Sequence, residues 1–162
     1  VSPAEPPSVH LICGLNGAGK TTLARELAAS LPAVRFTLDA WMLRLYGLRY
    51  DDPAYVSRLD ACRDLIWDTA LDVLRVGRDV VLDWNQWSVD RRAEWRRRAN
   101  EAGNGAVLHY VDVPVDVTVE RALRRIDGEA HQLDEAGVRH LASIFEPPTA
   151  AEGLEIVVHY AT

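Results

Sequence analysis

The sequence is poor in the residues that build cross-links and metal centres: only two of its 162 residues are cysteines, Cys13 and Cys62, and its five histidines are scattered. Two cysteines so far apart exclude a disulfide framework, and no Cys/His cluster has the spacing of a zinc site. Cys13 stands in an apolar run and Cys62 on a helical face, so both read as core residues. No window holds the roughly twenty apolar residues of a membrane span. Residues 1–8 carry Pro3, Pro6 and Pro7 without an apolar centre, the pattern of a loose arm and not of a signal peptide, so a cytoplasmic protein is expected. Positive charge is short as well. A net charge of −6 makes the surface as a whole repel nucleic acid, and a polynucleotide partner is not expected.

What is present is enough apolar residue, 48% of the chain, for one substantial core and one domain over residues 9–162. Five short apolar runs, 9–13, 34–38, 80–82, 106–111 and 154–159, are bounded by Gly, Asp or Pro and read as strands. Amphipathic stretches alternate with them. Lys20 to Ser30 is closed by Pro32, and a longer helix follows Pro53 and stops at Gly77. Another runs from the N-cap Ser88 to about Ala102, one follows Pro114, and a last one spans Asp134 to Phe145. Strand and helix in alternation predict an α/β fold: a five-stranded parallel sheet with helices on both faces.

The first strand leads into Gly14-Leu15-Asn16-Gly17-Ala18-Gly19-Lys20-Thr21, which fits the phosphate-loop pattern G-x-x-x-x-G-K-[ST] and opens a helix. Glycines at 14, 17 and 19 permit the close backbone approach by which N–H groups from Gly14 through Asn16, Ala18 and Lys20 cradle phosphate oxygens. The helix N-terminus adds partial positive charge. In this pattern Lys20 reaches the β- and γ-phosphates, the Thr21 hydroxyl coordinates Mg²⁺, and Thr22 is a further candidate for a phosphate contact. ATP with Mg²⁺ is the expected cofactor pair.

Two acids stand at other strand ends. Asp83 closes Val80-Val81-Leu82, where a carboxylate holds the metal shell; a turn or N-cap acid is the plain alternative. Asp39 follows Phe36-Thr37-Leu38 and either accepts the proton of a substrate hydroxyl or caps a helix starting at Ala40. Trp41, Tyr46, Trp84 and Trp87, with the amides of Asn85 and Gln86, suit a pocket for a small hydroxylated acceptor, though each tryptophan reads equally well as core.

These segments resemble the small P-loop kinases of the predicted-kinase, zeta-toxin-like and chloramphenicol-phosphotransferase-like group. The resemblance covers most of the chain. It rests on the loop, on Leu38-Asp39-Ala40-Trp41, Val81-Leu82-Asp83, Arg92, His109 to Pro114, Glu120-Arg121 and Phe145-Glu146-Pro147-Pro148. It implies a P-loop NTPase fold with a short lid at 126–133 and transfer of a γ-phosphate to a small antibiotic, nucleoside or sugar-type acceptor, with Asp39 as base. It further implies Arg121 near adenine, Arg125 or Arg124 over the transferred phosphate, and Arg92 against substrate or phosphate. A solvated helix face is the plain reading of the arginine run. Kinases of nucleotide-activated sugars, polynucleotide 5′-hydroxyl kinases and an acceptor-free nucleotide switch remain alternatives, and the sequence leaves the oligomeric state open.

Overall fold

The central apolar runs present aliphatic side chains to both faces of a sheet, and a parallel sheet covered on both sides buries them, whereas the edge strands stay partly exposed. The computed structural model describes residues 5–48, 51–124 and 133–160. Its strands are β1 (Ser8–Gly14), β2 (Ala33–Thr37), β3 (Asp79–Asn85), β4 (Gly105–Asp112) and β5 (Glu155–Tyr160). They lie in the order β2-β3-β1-β4-β5, every neighbouring pair parallel. Parallel neighbours require crossovers, made here by α1 (Lys20–Ser30), α2 (Leu38–Tyr46), α3 (Tyr55–Arg75), α4 (Val89–Glu101), α5 (Val115–Arg124) and α6 (Glu135–Ile144). The lid segment apart from Leu133, Arg125 and residues 1–4 of the arm lie outside the described residues. No described helix is long and apolar enough to cross a membrane.

The expected strands and the five expected helices are present, with α2 in addition and with Ser88 and Asp134 capping α4 and α6 through their side chains. Several boundaries differ, the third strand most, since it runs from Asp79 to Asn85 and not over 80–82. The second strand stops at Thr37, and Leu38 opens α2, because Leu38 and Met42, one helical turn apart, both enter the core. Asp39 thus lies in a helix's first turn, where the N-terminal dipole favours a carboxylate. The arm is also shorter than expected: Ser8 already belongs to β1, its N–H donating to Asp79 Oδ1 at 2.9 Å.

β1 shows how the core divides. Val9, Leu11 and Cys13 point into the larger cluster, with Met42 of α2, Ile66 and Trp67 of α3 and Trp95 of α4; Ile12 points the other way, toward Ala24 of α1. Burial drives the Cys13 thiol up to about 12, as befits a core residue. In the larger cluster Trp84, Trp95 and Trp67 make edge-to-face contacts in a row, with centroids 5.2 and 5.6 Å apart.

A second row, of histidines, crosses the opposite face. His10 Nε2 meets Asp79 Oδ2 at 3.1 Å, His10 Nδ1 meets His109 Nε2 at 3.0 Å, and His109 Nδ1 meets His159 Nε2 at 3.0 Å. Neutral rings carry one N–H each, so the network is satisfied when all three are protonated on Nε2 and donate toward Asp79. Protonating the middle ring disrupts that order. Burial, followed by the charges of His10 and His159, lowers the His109 pKa from 6.5 to about 4.

The chain's last segment is held by an ion pair within the core. Arg92, fully buried, donates from Nε to Glu152 Oε2 at 2.7 Å, from Nη2 to Glu152 Oε1 at 2.9 Å and from Nη1 to the Gln86 carbonyl at 3.0 Å. Those bonds hold the Glu152 carboxyl below the usual carboxylate range. Arg96 donates to the Glu152 carbonyl, and Glu146 closes the same junction, its carboxylate accepting from Val89 N–H and its N–H donating to the Trp87 carbonyl. The 86–89 loop and the approach to β5 are thereby one unit.

Two stability measurements follow. The unfolded chain takes up a proton on His109 near pH 6.5 that the folded chain refuses until about pH 4. This contribution is complete above that upper value and is lost as pH falls toward the lower one. It is on the order of 3 kcal/mol, readable as a fall in urea midpoint on acidification that His109→Gln flattens. Arg92→Met leaves the Glu152 charge buried and unpaired and should cost about 3–5 kcal/mol; adding Glu152→Gln should return most of it. Equal losses in the single and double variants would rule the charge out as the cause.

Candidate active site

The loop between β1 and α1 owes its shape to two close approaches. A Cβ at Gly14 would stand 2.7 Å from the Val111 carbonyl oxygen, and one at Gly17, where φ is +84°, would strike the Thr118 carbonyl. Only glycine fits either position. The Ala18 N–H donates to the Leu15 carbonyl at 3.1 Å and its methyl packs into the smaller core, so the middle of the loop is anchored. Lys20 leans back along the loop, its Nζ donating to the Gly14 carbonyl at 3.1 Å and to the Leu15 carbonyl at 2.7 Å.

On the β3 side the register slips. Leu11 pairs with Leu82 but Ile12 pairs with Asn85, so Asp83 and Trp84 have no partner in β1. The slip places Asn85 beside the loop, with its Oδ1 accepting from the Gly14 N–H at 3.4 Å. Asp83 stays in register with Thr37 of β2. The Arg35 guanidinium grips Asp83 Oδ2 from Nε and Nη2 at 2.8 and 2.7 Å, and the Thr37 hydroxyl stands 3.5 Å from the same oxygen. The carboxylate is therefore held in a fixed orientation at the strand end.

These groups meet in a cleft of about 430 Å³. Asn16, Gly17, Gly19, Lys20, Thr21 and Thr22 line it from the loop and α1, and Arg121 lines it from α5. Asp39 and Asp83 come from the strand ends, and Trp84, Asn85 and Trp87 from the end of β3 and its loop. Gly14 and Ala18 shape the loop from behind. A loop that admits no Cβ at Gly14 or Gly17, with an ammonium at its end, fits a chain of phosphates. The Thr21 hydroxyl and Asp83 carboxylate are hard oxygen donors of the kind Mg²⁺ takes.

Five expected residues do not line this cleft. Arg92 is spent on Glu152 and the Gln86 carbonyl and has no exposed surface, so it does not touch substrate. Arg124 points outward, 78% exposed, and pairs with Glu120 one turn back at 2.6 Å. Trp41 packs on the core with its ring edge-to-face against Phe36 at 6.1 Å. Tyr46 is exposed beneath the Arg58 guanidinium, and Gln86 is fully buried.

Others were missed. Arg25 and Thr37 line the cleft, and Leu141, Ile144 and Phe145 give it an apolar wall from the end of α6. Thr37 had a signal, two residues before Asp39 on a strand. The α6 residues had none, because helical periodicity says which face is apolar but not what it meets. Arg35, which orients Asp83, also escaped notice as a single basic residue within an apolar run.

Residues 9–148 match the family model described as an AAA domain. An adenylyl-sulfate kinase of Myxococcus xanthus is 30% identical over 156 residues, which is 91% of this chain and 79% of that protein. Among solved structures, a candidate kinase from Chloroflexus aurantiacus superimposes with a TM-score of 0.73 at 24% identity, over 96% of this chain and 89% of that one. The APS kinase of Mycobacterium tuberculosis, solved with AMPPNP and APS, gives a TM-score of 0.56 at 18% identity, over 74% of this chain and 70% of that one. Both structures share the fold. With its phosphate loop and a relative of this kind, the chain belongs to the AAA domain family and is a P-loop phosphotransferase of the kinase type.

Proposed function

We propose that the chain transfers the γ-phosphoryl group of ATP to a hydroxyl of a small organic acceptor, with Asp39 as the base. The observation that carries this reading is that Lys20 and Thr21, from the phosphate loop, and Asp39, from α2, line one cleft. Mg·ATP, when bound, supplies the transferable group and a divalent Lewis acid. The chain's own part is to position and to neutralise. Loop N–H groups and Lys20 hold the β- and γ-phosphates, while Thr21 and the Arg35-held Asp83 serve the cation. Arg121 serves the nucleotide from α5.

Asp39 accepts the proton of the acceptor hydroxyl as that oxygen attacks. Its charge is felt by Tyr55, whose phenol burial first and Asp39 second push up to about 12, so Tyr55 stays neutral beside the carboxylate. The acceptor lies against Trp84, Asn85 and Trp87, with Leu141, Ile144 and Phe145 excluding water from one side. Adenylyl sulfate, the compound named for the Myxococcus relative, is the first acceptor to test.

Asp39→Asn should lower kcat by about 10²–10⁴-fold, the range for loss of a general base, with nucleotide affinity unchanged. Transfer at the wild-type rate by that variant would remove Asp39 from the role. Lys20→Met should weaken ATP binding and turnover together. A variant that binds ATP as before would leave the loop without its assigned function.

A further inference from the structure

One wall of the cleft holds polar groups that phosphoryl transfer does not use. Trp84 lines the cleft and is 8% exposed, yet its indole Nε1–H has no hydrogen-bond partner. Trp87 lines the same wall and carries the Arg91 guanidinium over its ring, 5.7 Å from the centroid. Neither Arg91 nor Arg63 of α3 is part of the cleft lining itself, but Arg63 lies near enough for its charge to interact with that of Arg91, and its buried Nε donates to nothing, although its Nη1 reaches the exposed Asp60 carboxylate at 3.0 Å.

Helical side chains lean toward the N-terminus of their own helix. α3 begins at Tyr55, which feels the charge of Asp39, and α4 begins just after Trp87, so Arg63 and Arg91 both lean toward the strand ends that form the cleft. Burial, and next the charge of Arg91, lower the pKa of Arg63 from its ordinary value, as two cations held together in a poorly solvated place require. Asp60, Glu94 and Tyr55 act in the opposite sense, but Glu94 is itself paired with Arg98 at 3.0 Å. Buried donors without partners, set among cations, are what an anion satisfies.

We infer that the acceptor carries, beside the hydroxyl that receives the phosphoryl group, an anionic group (a carboxylate, sulfate or phosphate) that docks on Arg63, Arg91 and the Trp84 indole. The inference rests on the kinase reading above and specifies its acceptor. Arg91 supplies charge and a planar donor fork at the cleft's edge, Arg63 supplies charge and a free Nε–H from below, and Trp84 supplies a neutral donor in the wall. A neutral polyol could accept from these donors but would leave the two guanidinium charges uncompensated.

The test is calorimetric titration of the protein saturated with Mg·AMP-PNP, which fills the nucleotide end, using two matched pairs: adenosine 5′-phosphosulfate against adenosine, and gluconate against glucitol. In at least one pair the anionic member should bind about tenfold or more tightly than its neutral partner, the scale of a charge-assisted hydrogen bond. Arg91→Met and Arg63→Met should each remove most of that preference, with Arg63→Lys keeping part of it. AMP-PNP affinity in the same titrations reports that the variants are folded. Anionic members that bind no more tightly than their neutral partners in either pair, including the case in which nothing binds, overturn the inference. So does a preference that survives both methionine substitutions. Because the readout is binding, it separates from the base: full turnover by Asp39→Asn counts against Asp39, whereas loss of the anion preference in Arg91→Met counts for the dock.

Discussion

All five strands run the same way, and that constraint organises everything else. Parallel strands can be joined only by crossovers, so each strand delivers its last residues to one common edge and each crossover returns the chain to the other. β1 brings the glycine loop to that edge, β2 brings Thr37 and the start of α2 with Asp39, and β3 brings Asp83, Trp84 and Asn85. The residues are distant in sequence and meet because the sheet has one carboxyl edge. The helices that bury both faces hold that edge rigid.

Buried charge in this chain is used for geometry. Arg35 pairs with Asp83 where the carboxylate could otherwise rotate, and Arg92 pairs with Glu152 where the segment before β5 could otherwise drift from the 86–89 loop. Such pairs contribute little net stability over an apolar replacement, because desolvation offsets the attraction. They fix position instead. Asp83 gains a defined orientation, and Phe145 and Trp87 are kept on one cleft through the Glu146 hydrogen bonds.

Much of this was legible in the residue pattern. The five strands, the phosphate loop and the cap at Ser88 follow from apolar runs, glycine spacing and capping chemistry, which act over a few residues. What acts across the fold was less visible. The helical spacing of Arg92, Trp95 and Ala99 places all three on one buried face of α4, a signal that outweighs a surrounding run of arginines. Trp41 and Trp84 look alike in sequence and both pack in or on the larger core, yet only Trp84, beside the register slip in β3, also lines the cleft. A slip is a property of two strands together and leaves no mark in either alone. The start of α2 was misplaced for a related reason: Leu38 suits a strand as well as a helix, and its partner Met42 decides.

The row of tryptophans has an optical consequence. Trp84 forms part of the cleft and touches Trp95, which touches Trp67, so three indoles with overlapping absorption lie within energy-transfer distance of one another. Excitation absorbed deep between α3 and α4 can migrate to the ring at the cleft. Near-ultraviolet circular dichroism and intrinsic fluorescence of the native protein therefore report on what stands against Trp84, and the molecule carries its own spectroscopic probe of this part of the cleft without any label.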